Sequence, residues 1–513
     1  MCEALASAEH DQWHAAILEE LAAIREVGTW ELVNPNPSIQ NIIGCHFILQ
    51  KKRGASGEVT CFKVWLVAQG FSQHEGIDFS ETFAPVVKST SLRILLAIWA
   101  EHGWRVRQMD IKSAYLNGTV SEDIYMRQPK GYEEPGREQS LAKLKKGLYG
   151  LKQVGREWYA TLHDFLIGLG FRRTHADHSV FVFERGHTII ILPVYVDDKL
   201  LAGNDDSTLD YIQKAIGSRF KTSDLGTVSW ILGIRVRHDI AKGTLFIDQS
   251  QYLKNVLARF GMSECNPTII PLPAGKLFLP ADPDAHASVS SYPYLEVIGS
   301  LTYAAMGTRP DICAAVRALS PFAATFGPEH IDGLKHIMRY IRGSLNRGIL
   351  YTMGGGGLVG YTDADWANDT SNRRSVSGYS FLYAGGVVSW MSKQQSAAAL
   401  SSTHAEYVAA AEAAKELVWL RRFLLEVREN VSGPTTLFID NRAADLLARN
   451  PVNHAATKHI DVRYHFIRDC IGDGSINLSL IGSNDMTADI MTKSLARPKH
   501  DRFCLMLGME TVE

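Results

Sequence analysis

Seven acidic residues of this 513-residue chain occur in patterns that suit metal-dependent chemistry. Two of them, Asp197 and Asp198, are adjacent in ILPVYVDDKLLAG (191–203), directly after an apolar run. Two like charges about 4 Å apart near a protein surface repel each other by roughly 4 kcal/mol at an effective dielectric constant of about 20. A divalent cation removes that repulsion, and Mg²⁺ is usually held by one or two carboxylates together with substrate phosphates. The pair therefore indicates either a metal site or an ordinary polar hairpin turn.

A third carboxylate for the same site is Asp110, at the end of the apolar strand predicted in WRVRQMDIKSAYLNG (104–118). Two Mg²⁺ ions can activate the attacking oxygen and stabilise the leaving oxygen in phosphoryl transfer. Such a site needs a carboxylate from elsewhere in the chain, which Asp110 would supply. The alternative for Asp110 is a helix N-cap in front of IKSAYL.

A second group of acids follows the tetraglycine at 354–357 and consists of Asp363, Glu406, Asp440 and Asp489. Each also has a structural interpretation. Thr403 to Glu406 fits the capping box S/T-x-x-E at a helix start. Asp440 could cap the helix that follows it, and Asp489 at a helix N-terminus would complement the helix dipole.

The elements that must position the first group are strands and helices with clear periodicity. Residues 8–27 predict an amphipathic helix that ends at Gly28, and 44–71 predict two strands around a Gly/Ser turn. A helix over 91–103 leads into the strand that ends at Asp110. The stretch 179–205 predicts strands with turns at Arg185-Gly186 and Asp197-Asp198. The aspartate pair is thereby placed at a hairpin tip.

The second group requires a separate set of elements. Residues 265–291, rich in Pro, Ala and Ser, predict a surface connector, and the tetraglycine predicts a domain boundary. After it come a strand with Asp363, a hairpin over 375–393, and a long helix over 401–427. A strand then ends at Asp440, and a last strand and helix over 476–493 carry Asp489.

Composition limits the class of protein. Hydrophobic residues make up 46% and charged residues 21%, which is typical of a soluble globular protein of several domains. The net charge of −2 excludes a globally basic nucleic-acid binder, although 141–158 and 334–348 are locally basic. Seven dispersed cysteines without a CxxC pair favour reduced thiols and disfavour a zinc knuckle. Neither a secretory signal nor a membrane span is expected.

Three motifs carry a family resemblance. QMDIKSAYLNG, LYGLKQVGREWY and YVDDKLLAG, in this order, closely resemble the reverse transcriptase of copia-type LTR retrotransposons. The resemblance includes 62–93 and 299–312. GYTDADWA, STHAEY, FIDNRAA and TADIMTK resemble the ribonuclease H segments of the same proteins, and 458–469 fits them as well.

The resemblance implies an α+β fold: a right-hand polymerase with fingers, palm and thumb, then a helical connection and an α/β RNase H-like domain. The corresponding boundaries are 1–28 for an N-terminal helix, 29–264 for the polymerase, 265–357 for the connection and 358–513 for the last domain. Asp110, Asp197 and Asp198 would hold two Mg²⁺ ions in the palm, helped by the backbone carbonyl of Ile111. A second pair of ions would promote RNA hydrolysis and would be held by the other four acids: Asp363, Glu406, Asp440 and Asp489. Mn²⁺ could replace Mg²⁺ at either site.

The resemblance also implies nucleotide-binding residues. Tyr115 would abut the sugar and exclude a 2′-hydroxyl, with core packing as its alternative. Gln153 would contact the nucleotide, Lys63 would lie near the triphosphate, and 224–236 would grip the primer strand. The implied partners are an RNA template, a DNA primer strand, an RNA/DNA hybrid and deoxynucleoside triphosphates, with no membrane partner and an intracellular, cytoplasmic location.

Several residues depart from the family pattern. Trp65 and Gln69 replace an arginine and a lysine in the fingers, and Val154-Gly155 replace Ala-Pro behind Gln153. Pro193 removes a strand hydrogen-bond donor before the aspartates, and Lys199 takes an apolar place after them, where its ammonium would compete with a metal if it reached the carboxylates. These departures leave open a decayed or co-opted copy that binds nucleic acid with little catalysis. Without protease or integrase motifs, the chain is expected to be the C-terminal part of a Pol polyprotein or a gene that begins there.

Overall fold

The structure is a computed structural model that describes residues 5–53, 58–367, 373–449 and 466–512. Its strands are β1 Trp30–Val33, β2 Cys45–Arg53, β3 Val59–Ala68, β4 Arg107–Ile111, β5 Tyr125–Arg127, β6 Leu141–Leu144, β7 Phe171–Arg173, β8 Val180–Arg185, β9 Thr188–Tyr195, β10 Asp198–Gly203, β11 Thr222–Thr227, β12 Trp230–Ile231, β13 Ile234–Asp239, β14 Thr244–Asp248, β15 Arg347–Thr352, β16 Val359–Asp365, β17 Val376–Tyr383, β18 Gly386–Gln394, β19 Thr435–Ile439, β20 Ile476–Leu480 and β21 Met509–Thr511.

The described residues also contain fourteen α-helices. They are α1 His10–Glu26, α2 Ser89–His102, α3 Val154–Gly168, α4 Asp206–Arg219, α5 Ser250–Arg259, α6 Pro283–Val289, α7 Tyr294–Gly307, α8 Cys313–Leu319, α9 Pro328–Gly343, α10 Ser402–Glu426, α11 Arg442–Arg449, α12 Phe466–Gly472, α13 Asp489–Thr492 and α14 Arg497–Met506. In the described part of the chain, no helix has both the length and the apolar character needed to cross a bilayer.

The chain forms two compact units that are not continuous in sequence. The described residues of 1–87, 107–174 and 178–226 form the first unit, and those of 88–106, 175–177 and 227–513 form the second. Helix α2 therefore folds with the C-terminal half of the chain. There the buried guanidinium of Arg93 donates to the carbonyl oxygens of Val388 and Met306, both at 2.8 Å, and stacks on the ring of Trp390.

In the first unit, α1 buries one apolar face, as the sequence predicts. Trp13, Ile17, Leu21 and Ile24, spaced three or four residues apart, join one hydrophobic core with residues of β2 and β3. Gly28 follows the helix with a φ of +67°, which glycine adopts without strain. The turn predicted between β2 and β3 lies at residues 54–57, outside the described residues.

A six-stranded sheet in the order β11-β4-β10-β9-β8-β7 forms the centre of the first unit. Strands β9 and β10 pair at Tyr195–Asp198 and Val194–Lys199, and again at Ile191–Ala202. Pro193 lies between these pairs, where it has no N–H to donate. The strand nevertheless continues through Pro193, which pairs with Val180 of β8.

The second unit contains two five-stranded sheets. One has the order β12-β13-β14-β15-β21, so its strands come from both sides of the tetraglycine. The tetraglycine packs closely on the turn between β17 and β18. The N–H of Ala384 donates to the carbonyl oxygen of Gly356 at 2.9 Å, and a Cβ on Gly355 would lie 2.3 Å from the Ala384 carbonyl carbon. This approach requires glycine at Gly355.

The other sheet has the order β18-β17-β16-β19-β20. Strands β16, β17 and β18 are antiparallel, whereas β16, β19 and β20 are parallel. Helix α10 packs its apolar residues into the core of this unit, including Tyr407, Leu417 and Phe423. The arrangement brings the C-terminal ends of β16 and β19 side by side, where two of the predicted acids lie.

Candidate active sites

The first candidate site lies at the tip of the β9–β10 hairpin. Val196 and Asp197 form the turn, one residue earlier than predicted, and Asp198 begins β10. Asp198 is the direct antiparallel partner of Asp110 on β4. Directly opposed side chains on neighbouring strands have their Cβ atoms about 4.5–5.5 Å apart. The backbone N–H of Ile111 donates to the carbonyl oxygen of Asp197 at 3.0 Å, so the backbones of all three aspartates adjoin at this end of the sheet.

The electrostatics of these aspartates favour a bound cation. Burial raises the pKa of Asp198, and the charges of Asp197 and Asp110 raise it further. Carboxylates that raise one another's pKa are relieved by a hard divalent cation, which prefers oxygen ligands. The three side chains supply only such ligands, so the donor set fits Mg²⁺ or Mn²⁺. Asp110 belongs to β4, and the next helical turn begins at Ala114, so the alternative interpretation of Asp110 as a helix N-cap is wrong.

Lys199 lies beneath the hairpin turn. Its side chain is buried, and its ammonium donates to the carbonyl oxygens of Val196 and Asp197, both at 3.1 Å. The indole N–H of Trp158 also donates to the carbonyl oxygen of Val196 at 2.8 Å. Val196 has a φ of +55°, a costly conformation for a β-branched residue. Lys199 and Trp158 thus hold the strained turn through its backbone.

Replacing Lys199 with Met is expected to make the stability of the folded chain less dependent on pH between about pH 7 and about pH 10. Burial lowers the pKa of Lys199 to about 7, whereas an unfolded lysine titrates near about 10.4. Between these values the folded chain binds fewer protons than the unfolded chain, so the wild-type stability contributed by this group rises with pH. The thermal midpoint of Lys199→Met relative to the wild type should therefore fall as the pH rises through this range.

Thermal unfolding at several pH values measures this difference. Lys214→Met, at an exposed lysine of α4, is the matched control and should show no such pH dependence. A difference between the thermal midpoints of the two proteins that stays constant from about pH 7 to about pH 10 would contradict the expectation.

Two tyrosines adjoin the aspartates. Tyr115 is half-buried and meets the ring of Tyr149 edge to face, with ring centroids 5.2 Å apart. Burial and the nearby charge of Asp197 raise the pKa of Tyr115. Burial also raises the pKa of Tyr149, with contributions from Glu20, Asp197 and Asp110. The sequence analysis missed Tyr149, although it lies within the motif LYGLKQ.

The other predicted nucleotide-binding residues lie in different environments. Gln153 is fully buried; its amide donates to the carbonyl oxygen of Asp78 at 2.7 Å and accepts from Gln73 at 3.1 Å. Lys63 is exposed on β3, and its ammonium lies 5.0 Å from the ring centroid of Trp65. A cation over an indole face is an attractive contact. The departure at Trp65 therefore supplies a surface that holds Lys63.

The second candidate site combines β16, α10 and the end of β19. Carboxylate oxygens of Asp363, Glu406 and Asp440 all lie within 4.8 Å of one another. Asp363 and Asp440 each follow the register pair Tyr361–Phe438 by two residues, so they share one face of the sheet. Glu406 reaches the same point from the first turns of α10.

This acid cluster is strongly desolvated. Burial raises the pKa values of Glu406, Asp363 and Asp440, and the neighbouring carboxylates raise each of them further. The N–H of Ala364 donates to the Glu406 carboxylate, whereas Glu406 Oε2 has no hydrogen-bond partner among the described residues. A buried oxygen without a partner is costly unless a cation binds it. The cluster thus fits a hard divalent cation.

Asp489 lies next to this cluster and is fully buried. Its Oδ1 is 2.8 Å from the ammonium of Lys493, and its Oδ2 accepts from the ammonium of Lys499. The ammonium of Lys493 also lies 3.6 Å from Asp363 Oδ2. The structure thus places Asp489 beside the other three predicted acids. Lys499 donates a hydrogen bond to its carboxylate, whereas Oδ1, although paired in charge with Lys493, has no hydrogen-bond partner among the described residues. The sequence analysis missed both lysines.

The helix caps rule out two structural alternatives. Ser401 caps α10, since its side chain accepts from the N–H of His404, and Glu406 lies beyond the capping position. The side chain of Asn441 accepts from the N–H of Ala444 and so caps α11 in place of Asp440. Residues 458–465 of the matching segment lie outside the described residues.

Comparison with known proteins gives the family of the chain. Residues 27–274 match the family model "Reverse transcriptase (RNA-dependent DNA polymerase)". The chain is 38% identical to the "Retrovirus-related Pol polyprotein from transposon TNT 1-94" of Nicotiana tabacum, covering 99% of this chain and 39% of that relative. It is 37% identical to the corresponding polyprotein from transposon RE1 of Arabidopsis thaliana, covering 99% of this chain and 34% of the relative. The chain thus spans between a third and two fifths of the length of these relatives.

Among solved structures, telomerase from Candida tropicalis gives a TM-score of 0.25 at 11% identity, covering 45% of this chain and 59% of that chain. This score is too low to support a statement about the fold. The family model and the near-complete coverage by the Pol polyproteins are much more specific. The chain therefore belongs to the copia-type reverse transcriptase family of retrotransposon Pol polyproteins.

Proposed function

We propose that the chain is an RNA-directed DNA polymerase whose active site is the aspartate cluster of the β9–β10 hairpin. The observation that carries this proposal is the direct pairing of Asp198 with Asp110, with Asp197 in the adjoining turn. Membership of the reverse transcriptase family supports it. The substrates would be deoxynucleoside triphosphates, with an RNA template and a DNA primer strand.

The three aspartates would hold two Mg²⁺ ions, and these would lower the barrier for attack by the primer hydroxyl and for departure of pyrophosphate. The protein's own contribution is placement. The N–H of Ile111 fixes the Asp197 carbonyl, and the ring of Tyr115, close to Asp197, would stand against the sugar and exclude a 2′-hydroxyl. Lys63 would attract the triphosphate from β3.

Primer extension on a primed RNA template tests this proposal. The wild-type chain should incorporate deoxynucleotides with Mg²⁺, use ribonucleotides poorly, and stop when the metal is chelated. Equal extension in the presence of excess chelator would contradict the proposed mechanism. Failure to extend with either Mg²⁺ or Mn²⁺ would contradict the proposed activity.

We also infer that the second site hydrolyses the RNA strand of RNA/DNA hybrids, as a ribonuclease H. The observation that supports this inference is the buried cluster of Asp363, Glu406 and Asp440, with its unpartnered Glu406 oxygen. Bound Mg²⁺ would generate the attacking hydroxide and stabilise the leaving oxygen. Release of short RNA from a labelled hybrid tests the inference, and intact RNA after incubation with Mg²⁺ or Mn²⁺ would contradict it.

The division into fingers, palm and thumb, a connection and an RNase H-like domain is part of the same proposal. A parallel and antiparallel five-stranded sheet with a long helix beside it supports the last domain. The boundaries at 28, 264 and 357 stay predictions. Strand β21 shares a sheet with β13, β14 and β15. The RNase H-like domain would therefore be joined to the polymerase and the connection by strand pairing as well as by the chain.

A second candidate function is a copy that binds primer and template but polymerises weakly. The burial of Gln153 and the contact between Lys63 and Trp65 favour this function, because each makes a polar side chain less available to bind a triphosphate. A neutral indole cannot replace an arginine as a phosphate ligand. Restoring a positive charge at Trp65 distinguishes the two candidate functions.

Trp65→Arg is expected to lower the KM for deoxynucleotides by about fivefold, as an exposed charge pair contributes at most about 1 kcal/mol. The gain should shrink as salt is raised, since exposed charges are screened. Steady-state incorporation at two salt concentrations measures it. Trp65→Phe keeps an aromatic face without a charge and is the matched control. If both variants have the wild-type KM, Trp65 does not limit nucleotide binding.

A further inference from the structure

The two lysines that surround Asp489 form the only part of the second site, within the described residues, for which neither metal binding nor packing gives a role. Asp489 is a fully buried carboxylate, whereas the side chains of Lys493 and Lys499 are 36% and 32% exposed. The acid is thus inside the protein and both ammonium groups are partly in solvent. Each ammonium has three donors, so one carboxylate oxygen does not exhaust it.

Both lysines are held in place from more than one side. Lys493 directly follows α13 and contacts Asp363 as well as Asp489. Lys499 lies in the first turns of α14, and its ammonium is 5.2 Å from the ring centroid of Phe503. The two charges therefore have fixed positions beside the acid cluster.

A polyanionic substrate needs such charges at this point. Asp363, Glu406 and Asp440 present carboxylates to any strand that reaches them, and a nucleic-acid strand carries a negative charge at every phosphate. Lysine is a strong point-charge ligand for phosphate. Two ammonium groups on the rim of the cluster would offset the repulsion and fix the strand relative to the acids.

We infer that Lys493 and Lys499 form a binding site for a phosphodiester of the strand being cut. This inference rests on the proposed hydrolytic function. The competing explanation is that the ammonium of Lys493 stands where a divalent cation binds and has no contact with substrate. The two explanations predict opposite effects of removing the lysine.

The experiment uses the full chain with Asp197→Asn and Asp198→Asn as the parent, so that metal binding and turnover at the second site are measured alone. Lys493→Met and Lys499→Met are compared with the parent by titration with Mn²⁺ and by single-turnover cleavage of a hybrid labelled on the RNA strand. Lys415→Met, at a partly exposed lysine of α10 paired with Glu412, is the matched control. Lys493→Arg tests rescue by a retained charge.

Lys493→Met should bind Mn²⁺ at least as tightly as the parent, because a positive charge 3.6 Å from Asp363 Oδ2 is gone. Its cleavage efficiency should nevertheless fall by about tenfold, through weaker hybrid binding, as expected for a lost charged contact. Lys499→Met should behave alike, and Lys493→Arg should recover most of the loss. Cleavage by Lys493→Met at or above the parent rate would overturn the inference, as would loss of its Mn²⁺ affinity.

Hybrid binding with chelator present separates this inference from the hydrolytic function. Each lysine removed should reduce the salt dependence of the binding constant by about one phosphate contact, measured by fluorescence anisotropy. If the parent does not cleave the hybrid but the salt dependence of hybrid binding falls in the lysine variants, the hydrolytic function is wrong and the phosphodiester site is supported. If the salt dependence of hybrid binding in both lysine variants equals that of Lys415→Met, the phosphodiester site is wrong, whether or not the parent cleaves the hybrid.

Discussion

Asp198→Asn is expected to lower the rate of deoxynucleotide incorporation by about a thousandfold or more, the equivalent of about 4 kcal/mol of lost transition-state stabilisation. An amide keeps the shape of the side chain but is a poor ligand for a hard cation. Asp198 pairs directly with Asp110, so its loss would open the cation site on the side of β10. Incorporation of a single nucleotide on a primed RNA template, followed in a rapid-mixing assay, measures the effect.

The stability of Asp198→Asn distinguishes this loss from misfolding. Burial and the adjacent aspartates raise the pKa of Asp198, so in the absence of a cation the ionised side chain destabilises the folded state. The variant should therefore have an equal or higher thermal midpoint than the wild type at pH 8. Asp164→Asn, on the exposed side of α3, is the matched control. A variant that keeps more than a tenth of the wild-type rate would contradict the assignment of Asp198.

Glu406→Gln is expected to abolish cleavage of RNA/DNA hybrids, by about a thousandfold or more, while primer extension continues at the wild-type rate. The reason is that Glu406 supplies a buried, unpartnered oxygen to the cluster with Asp363 and Asp440. Glutamine offers a weaker oxygen ligand of the same shape. Glu412→Gln, one and a half turns further along α10, is the control and should cleave normally.

The same variant should be more stable than the wild type when metal is absent. Burial raises the pKa of Glu406, so above its ordinary range the folded chain retains a proton that the unfolded chain releases. Wild-type stability then falls as the pH rises, and Glu406→Gln lacks this loss. Thermal unfolding with chelator between pH 5 and pH 8 should show a growing advantage for the variant. An advantage that stays constant with pH would contradict the placement of Glu406 in a desolvated site.

Local periodicity predicted the elements that present the acids. The apolar spacing in α1, the glycine that ends α2 at Gly103, and the strand before Asp110 all follow from patterns within a few residues. The hairpin was predicted one residue too late, because an Asp-Asp pair is a better turn signal than Val196, which the tertiary structure forces into a positive φ. Tertiary contacts thus override local preference at the site itself.

Contacts between distant residues were not predictable. The register of β10 with β4, and the return of β21 to a sheet with β15, depend on packing that no local pattern encodes. The tetraglycine suggested a loose boundary, whereas Gly355 allows a close approach to Ala384. In the acid cluster, the four-residue spacing of Asp489 and Lys493 allows an ion pair, whereas the contact of Lys499 with the same carboxylate depends on where α14 packs.

We propose that aspartates from two distant parts of the chain form one polymerase site. Single-nucleotide incorporation by Asp110→Asn, Asp198→Asn and the double variant, beside the wild type, tests it most directly. Residues that act as one unit are strongly non-additive. Either single variant should lose about a thousandfold in rate, and the double variant should be little worse. Incorporation by Asp110→Asn at the wild-type rate would contradict this expectation. So would a loss of rate in the double variant equal to the product of the two single losses.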